Sequence, residues 1–151
     1  MPSTARPVAH QGFGALDISA VFVGGAIGTT LRVAVDVALP HTPTEFAFGT
    51  LLVNTVGSFL LGLLVSGLWP RVPGWARAGL GAGLLGSFTT FSALALSIVT
   101  LAEAGNIMLA MVTVAASLAL GLLAAGVGLS LGGRATGATS GRHAPIDGVT
   151  E

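Results

Sequence analysis

The stretch GSFTTFSALALS, residues 86–97, decides how this chain is read. It lies in one of the most apolar regions of the sequence. Yet it carries five hydroxyl side chains, Ser87, Thr89, Thr90, Ser92 and Ser97, behind a glycine, Gly86. Two further glycines, Gly81 and Gly83, lie just upstream. Glycine weakens a helix, and Ser and Thr side chains can satisfy backbone groups that a break sets free. The pattern predicts a non-helical break inside a long apolar helix, in preference to a simple kink. Irregular backbone at membrane depth is tolerated only where it is buried in protein or lines a cavity. Carbonyls freed at such a break are ready ligands for a cation.

The composition outside this stretch agrees. Of 151 residues, 52% are hydrophobic and only 8% are charged, where a soluble domain carries about a quarter. So little charge cannot cover a water-facing surface, and a lipid bilayer is the solvent this chain suits. Cysteine is absent, which excludes a disulfide framework, a thiolate metal site and a cysteine nucleophile. The net charge is zero and there is no lysine, so nothing reads as a nucleic-acid footprint. The N-terminal MPSTARPVAHQGFGALD lacks an apolar h-region close behind the methionine and does not read as a cleaved signal peptide.

Four apolar runs follow one another, at about 18–39, 46–68, 75–101 and 107–131, each of 22–27 residues. A helix needs about 20 to cross the hydrocarbon core. LPHTPTE (39–45) and WPRVPGW (69–75) each place two prolines between runs, and the second adds two interfacial tryptophans. AEAGN (102–106) reads as a tight turn. The fold class is therefore an all-α membrane protein of four transmembrane helices with a break in the third. Its four-helix domain covers 17–132, and tails 1–16 and 133–151 are expected to be disordered. Small-xxx-small spacings, among them Gly24/Gly28 and Gly79/Gly83, predict close helix approach. Four short helices leave little room for a pore, so an oligomer is expected.

With four spans, Arg6, Arg71, Arg77, Arg134 and Arg142 fall on one side, while the other two loops carry Glu45 and Glu103. The positive-inside rule then puts both termini in the cytoplasm. Arg32 is the exception. It lies within the first run and could pair with Asp36 at i, i+4. It either snorkels to the interface or sets a fixed positive charge at the mouth of an anion path. In the second run Thr50, Asn54 and Ser58 form a polar stripe. By itself Asn54 reads equally as an interhelical hydrogen bond of about 1 kcal/mol. Thr113 and Ser117 repeat the i, i+4 spacing in the fourth run. No carboxylate is convincingly buried along this line and no catalytic grouping occurs, so the chain does not read as an enzyme.

GGAIGTTLR (24–32), GTLLVNTVGSFLLG (49–62) and GLLGSFTTFS (83–92), in that order on four short spans, resemble the CrcB/Fluc fluoride channels. The resemblance covers about residues 17–131, and the combination of three motifs is specific where any one would be weak. It implies a four-helix chain of the inner (plasma) membrane that pairs as an antiparallel, dual-topology type dimer, with broken third helices crossing at the centre. It implies a structural sodium ion there, held by backbone carbonyls that fall on Gly86 and Thr89. It implies fluoride paths lined by Asn54 and Phe91, with Thr50 and Ser117 on a polar track and Arg32 on the first helix. Where the family often has a second Phe, this chain has Leu94.

Such a set of groups suits fluoride. The ion holds water tightly, so neutral N–H and O–H donors must replace it. A phenyl edge is positive without being a trapping charge. Binding firm enough to admit an ion and weak enough to release it is what conduction requires. The expected activity is passive release of cytoplasmic fluoride, which lowers its toxicity. Together with Leu94, the one-sided arginines favour a chain of fixed orientation that pairs with an oppositely inserted homologue; the alternative partner is a second copy. A small multidrug or cation carrier would need an acid in mid-helix of the first run, where only Asp36 occurs, near its end. A membrane scaffold subunit would leave the Thr50/Asn54 stripe without a purpose.

Overall fold

Prolines and one left-handed glycine cut the apolar sequence into four crossings. The computed structural model describes residues 14–42 and 44–140, with side chains to residue 135. Among the described residues, four helical spans are long and apolar enough to cross a membrane: Ala15–Ala38, Phe48–Arg71, Gly74–Glu103 and Ile107–Ala135. Helix α1 (Ala15–Ala38) begins where the Asp17 carboxylate accepts the Gly14 N–H at 2.8 Å, one half of a capping box. It stops ahead of Pro40. Helix α2 (Phe48–Leu63) continues as a wider π-helical segment, Leu64–Leu68, and closes in a tight turn at Trp69–Arg71.

The third span opens as α3 (Gly74–Ala78), widens into a π-helical stretch, Gly79–Leu85, and ends its first half in the single turn α4 (Gly86–Phe88). Its second half is α5 (Phe91–Glu103). The turn after α5 is a Schellman motif. Gly105 adopts φ +79°, its N–H donates to the Ala102 carbonyl at 3.0 Å, and Asn106 N–H donates to Leu101 at 2.9 Å. Helix α6 (Ile107–Ser140) is the longest element. The expected tails lie largely outside the described residues. Where they meet them, α1 starts at Ala15 and α6 runs past residue 132 to Ser140. Gly132 packs against Leu63, Ser66 and Gly67 there, which extends the helix's support.

Glycine sets the packing. A Cβ on Gly24 would strike the Gly79 carbonyl and one on Gly28 the Leu84 carbonyl, so α1 lies backbone to backbone on the first half of the third span. Likewise Gly62 meets Ala125 and Gly128 meets Phe59, which seats α2 on α6. These are the close approaches the small-xxx-small spacings predict. The buried core is small, led by Val53 and Leu101, and large apolar side chains such as Phe22, Met108 and Leu122 are more than 70% exposed. An outward apolar surface of this kind belongs against lipid. The up-and-down order puts Arg71, Arg77 and Arg134 at one end of the bundle and Glu45 and Glu103 at the other. Among the described residues no ion pair joins Arg32 to Asp36, and Arg32 Nε is buried without a hydrogen-bond partner. The i, i+4 spacing allowed the pair, but a shared face does not oblige two side chains to meet. Asp36 instead lies by the start of α2, beside Gly49.

Candidate ion-conducting site

The break predicted from the sequence falls at Thr89–Thr90, halfway along the third span. Both residues are extended, with φ/ψ of −75°/156° and −145°/119°. Thr89 ends the first half: its N–H and its hydroxyl both donate to the Leu85 carbonyl, each at 3.0 Å. Thr90 starts the second half as the N-cap of α5, its hydroxyl oxygen accepting the Ala93 N–H at 3.2 Å. The same hydroxyl lies 3.2 Å from Ser92 Oγ.

Asn54 on α2 grips this break. Its Nδ2 donates to the Thr90 carbonyl at 2.9 Å, and its Oδ1 accepts the Thr90 N–H at 2.8 Å. The amide thus holds both polar groups of one residue, and one of its two N–H donors is left over. Gly57, one turn further along α2, leaves room for the Thr89 methyl, which a Cβ there would strike.

Around the break opens a cavity of about 330 Å³ lined by Asn54, Gly57, Ser58, Leu61, Gly81, Leu85, Gly86, Thr89, Thr90 and Phe91. It brings together four of the eight residues assigned to the ion sites from the sequence, Asn54, Gly86, Thr89 and Phe91, with Ser58 of the polar stripe beside them. Phe91 is 81% exposed. The other four lie elsewhere. Thr50 and Ser117 are buried within the bundle. Leu94, 8% exposed, is part of the core. Arg32 sits on α1, half-buried.

Ser117, like Thr55 on α2, differs from the span hydroxyls that bond to their own helix. Ser66, Ser97 and Thr113 each donate to the carbonyl four residues earlier, at 2.8–2.9 Å. Ser117 Oγ is buried and has no partner. Reading the sequence did not assign Thr90 a role of its own. The signal was present, since a threonine immediately before an apolar helical run is an N-cap pattern. Among the described residues no group of three or more His, Cys, Asp or Glu comes together that could hold a metal ion.

A sequence model of the family described as CrcB-like protein, Camphor Resistance (CrcB), matches residues 19–129. A "Fluoride-specific ion channel FluC" of Pseudomonas putida (strain F1) is 47% identical over 118 residues, spanning 76% of this chain and 94% of the relative. The protein of that name in Agrobacterium fabrum is 42% identical over 120 residues, 78% of this chain and 96% of its own. "Fluoride-specific ion channel FluC 1" of Leifsonia xyli subsp. xyli is 38% identical over 126 residues, 82% and 92%.

Proposed function

The chain belongs to the CrcB-like protein family, and from that premise we propose that it is a fluoride-specific ion channel of the cell membrane. It is a multi-pass protein and not an enzyme. Fluoride moves down its own gradient, so the channel lets cytoplasmic fluoride leave the cell. The observation that carries the reading is the Asn54-clamped break, which sets a spare amide N–H and the N-terminus of α5 on one cavity. The first N–H groups of a helix carry partial positive charge and suit an anion.

Asn54, Phe91, Thr50 and Ser117 form the fluoride path in this reading. Asn54 offers its remaining N–H, and the exposed ring of Phe91 offers its positive edge. Ser117 offers a hydroxyl that nothing else uses. None of these carries a charge that would trap the ion. Arg32 adds positive potential from α1. Leu94 contributes apolar wall only, and its burial supports a path whose aromatic contact in this chain rests on Phe91.

The Gly86 and Thr89 carbonyls fit a sodium ion. Each has lost the N–H that a continuous helix would give it, and both residues line the cavity. A cation bound there would supply a fixed positive charge close to the anion path. The open cavity and exposed Phe91 support an antiparallel dimer that covers this face. The arginines gathered at one end favour a chain of fixed orientation, and so an oppositely inserted homologue over a second copy as partner. C-terminal reporter fusions test this, because equal inside and outside signals refute a fixed orientation.

The test of function is fluoride efflux from liposomes holding the purified chain, read with a fluoride electrode against a chloride control. Rapid fluoride release without chloride is expected, from the chain alone or with its co-inserted homologue. Phe91→Ala is the informative variant: the side chain is 81% exposed in the single chain, so the chain's own packing has little to lose, and loss of flux from a preparation that keeps the wild-type oligomeric size reports the path. Folded protein that passes no fluoride in either pairing would overturn the reading.

A further inference from the structure

We infer that the side chains of Asn54 and Thr90 are positioning residues that keep the Gly86 and Thr89 carbonyls open to a cation, so that Asn54 joins the anion path to the cation site. The inference rests on the sodium reading above. In an unbroken helix, the N–H of residue 90 would donate to the carbonyl of 86, and the N–H of 93 to that of 89. Both donors are diverted here. Thr90 N–H goes to Asn54 Oδ1 at 2.8 Å, and Ala93 N–H goes to Thr90 Oγ1 at 3.2 Å. The two diversions release the carbonyls of Gly86 and Thr89, whereas the neighbouring Leu85 carbonyl accepts twice from Thr89.

Backbone strain does not hold the break in place. Thr89 and Thr90 both lie in ordinary extended regions. Neither glycine conformation nor proline prevents these residues from turning helical. What resists is the set of side-chain bonds. Remove the Thr90 hydroxyl, and Ala93 N–H is free to return to the Thr89 carbonyl. Remove Asn54, and Thr90 N–H is free to return to Gly86. Either return closes one cation ligand by giving it a helical hydrogen bond. Asn54 does this with one N–H still available to an anion, so occupancy of the two sites is linked through a single amide.

The experiment is thermal unfolding of the full chain, in the pairing that conducts, titrated with Na+ against N-methylglucamine at constant ionic strength. Wild type is expected to be stabilised by Na+. Thr90→Val should raise the Na+ concentration for half-maximal stabilisation by roughly fivefold or more, the size of a lost helix cap. Thr90→Ser, which restores an accepting oxygen, should return it toward wild type. Asn54→Ala should weaken the Na+ response as Thr90→Val does, and it carries the test if Thr90→Val does not fold. A wild-type Na+ response in both Thr90→Val and Asn54→Ala overturns the inference and leaves the sodium reading standing. No Na+ response in wild type overturns both.

Discussion

Ser117→Ala separates a path residue from a packing residue, because the two roles predict opposite signs. The Ser117 hydroxyl oxygen is buried and has no partner. Leaving a hydroxyl in that state costs about 1–3 kcal/mol. Alanine deletes the unsatisfied group and breaks no hydrogen bond, so the variant should be as stable as wild type or more so, by on the order of 1 kcal/mol. If the hydroxyl donates to passing fluoride, its loss removes a hydrogen bond to a charged acceptor, about 1.5–3 kcal/mol. At 1.4 kcal/mol per decade, that slows fluoride by about ten- to a hundredfold. The assay pairs electrode-read efflux with thermal unfolding on the same preparation. Thr113→Val is the control: one turn earlier on α6, its hydroxyl already donates to Leu109 at 2.8 Å, so flux should change little. Wild-type flux in Ser117→Ala would refute the reasoning, as would a loss of flux that merely follows lost stability.

Four further outcomes are expected. Asn54→Leu should abolish fluoride flux and also lower stability, by about 1–3 kcal/mol for each Thr90 backbone group left unpaired; efflux and unfolding measured together check both. Gly28→Ala should destabilise by about 1–3 kcal/mol, because its Cβ meets the Leu84 carbonyl and Phe88 N, backbone atoms that no rotamer change can move. Gly126→Ala, with nothing within 4 Å, should be neutral or better by the same unfolding assay. Gly105→Ala should cost about 1–2 kcal/mol through its φ of +79° alone, since no neighbour crowds it.

The spans were legible because lipid imposes a length and proline imposes an end, and both are local properties. The break was legible for a similar reason: Gly86 and the run of hydroxyls weaken a helix wherever they sit. The partner of the break was not. Asn54 lies 36 residues from Thr90, and only the packing of α2 on the third span, admitted by Gly57, brings them together. Nor could spacing tell Thr113 from Ser117. Both are hydroxyls on one face of α6, yet one is satisfied by its own helix and the other is not. Arg32 and Asp36 make the same point in reverse, since their spacing permits an ion pair that the fold does not form. Side-chain choice among competing partners is a tertiary property, and a one-dimensional pattern gives only the candidates.

The break also bears on assembly. A donor-less backbone carbonyl facing hydrocarbon costs several kcal/mol, and irregular backbone is not found exposed to lipid at that depth. Gly86 and Thr89 lie halfway along a 30-residue span and line an open cavity beside an 81% exposed Phe91. One chain alone leaves that cavity unwalled. Covering it with a second chain, as proposed, would remove the carbonyls from lipid and give Phe91 a wall to stand against, and a cation between the carbonyls would offset their mutual repulsion. The same two diverted hydrogen bonds that free the Gly86 and Thr89 carbonyls would therefore also make a lone chain an unfavourable state in the bilayer. On the proposed dimer and cation site, Asn54 and Thr90 would bear on pairing as well as on the ion, and the polar break in the third span would be where conduction and assembly depend on one another.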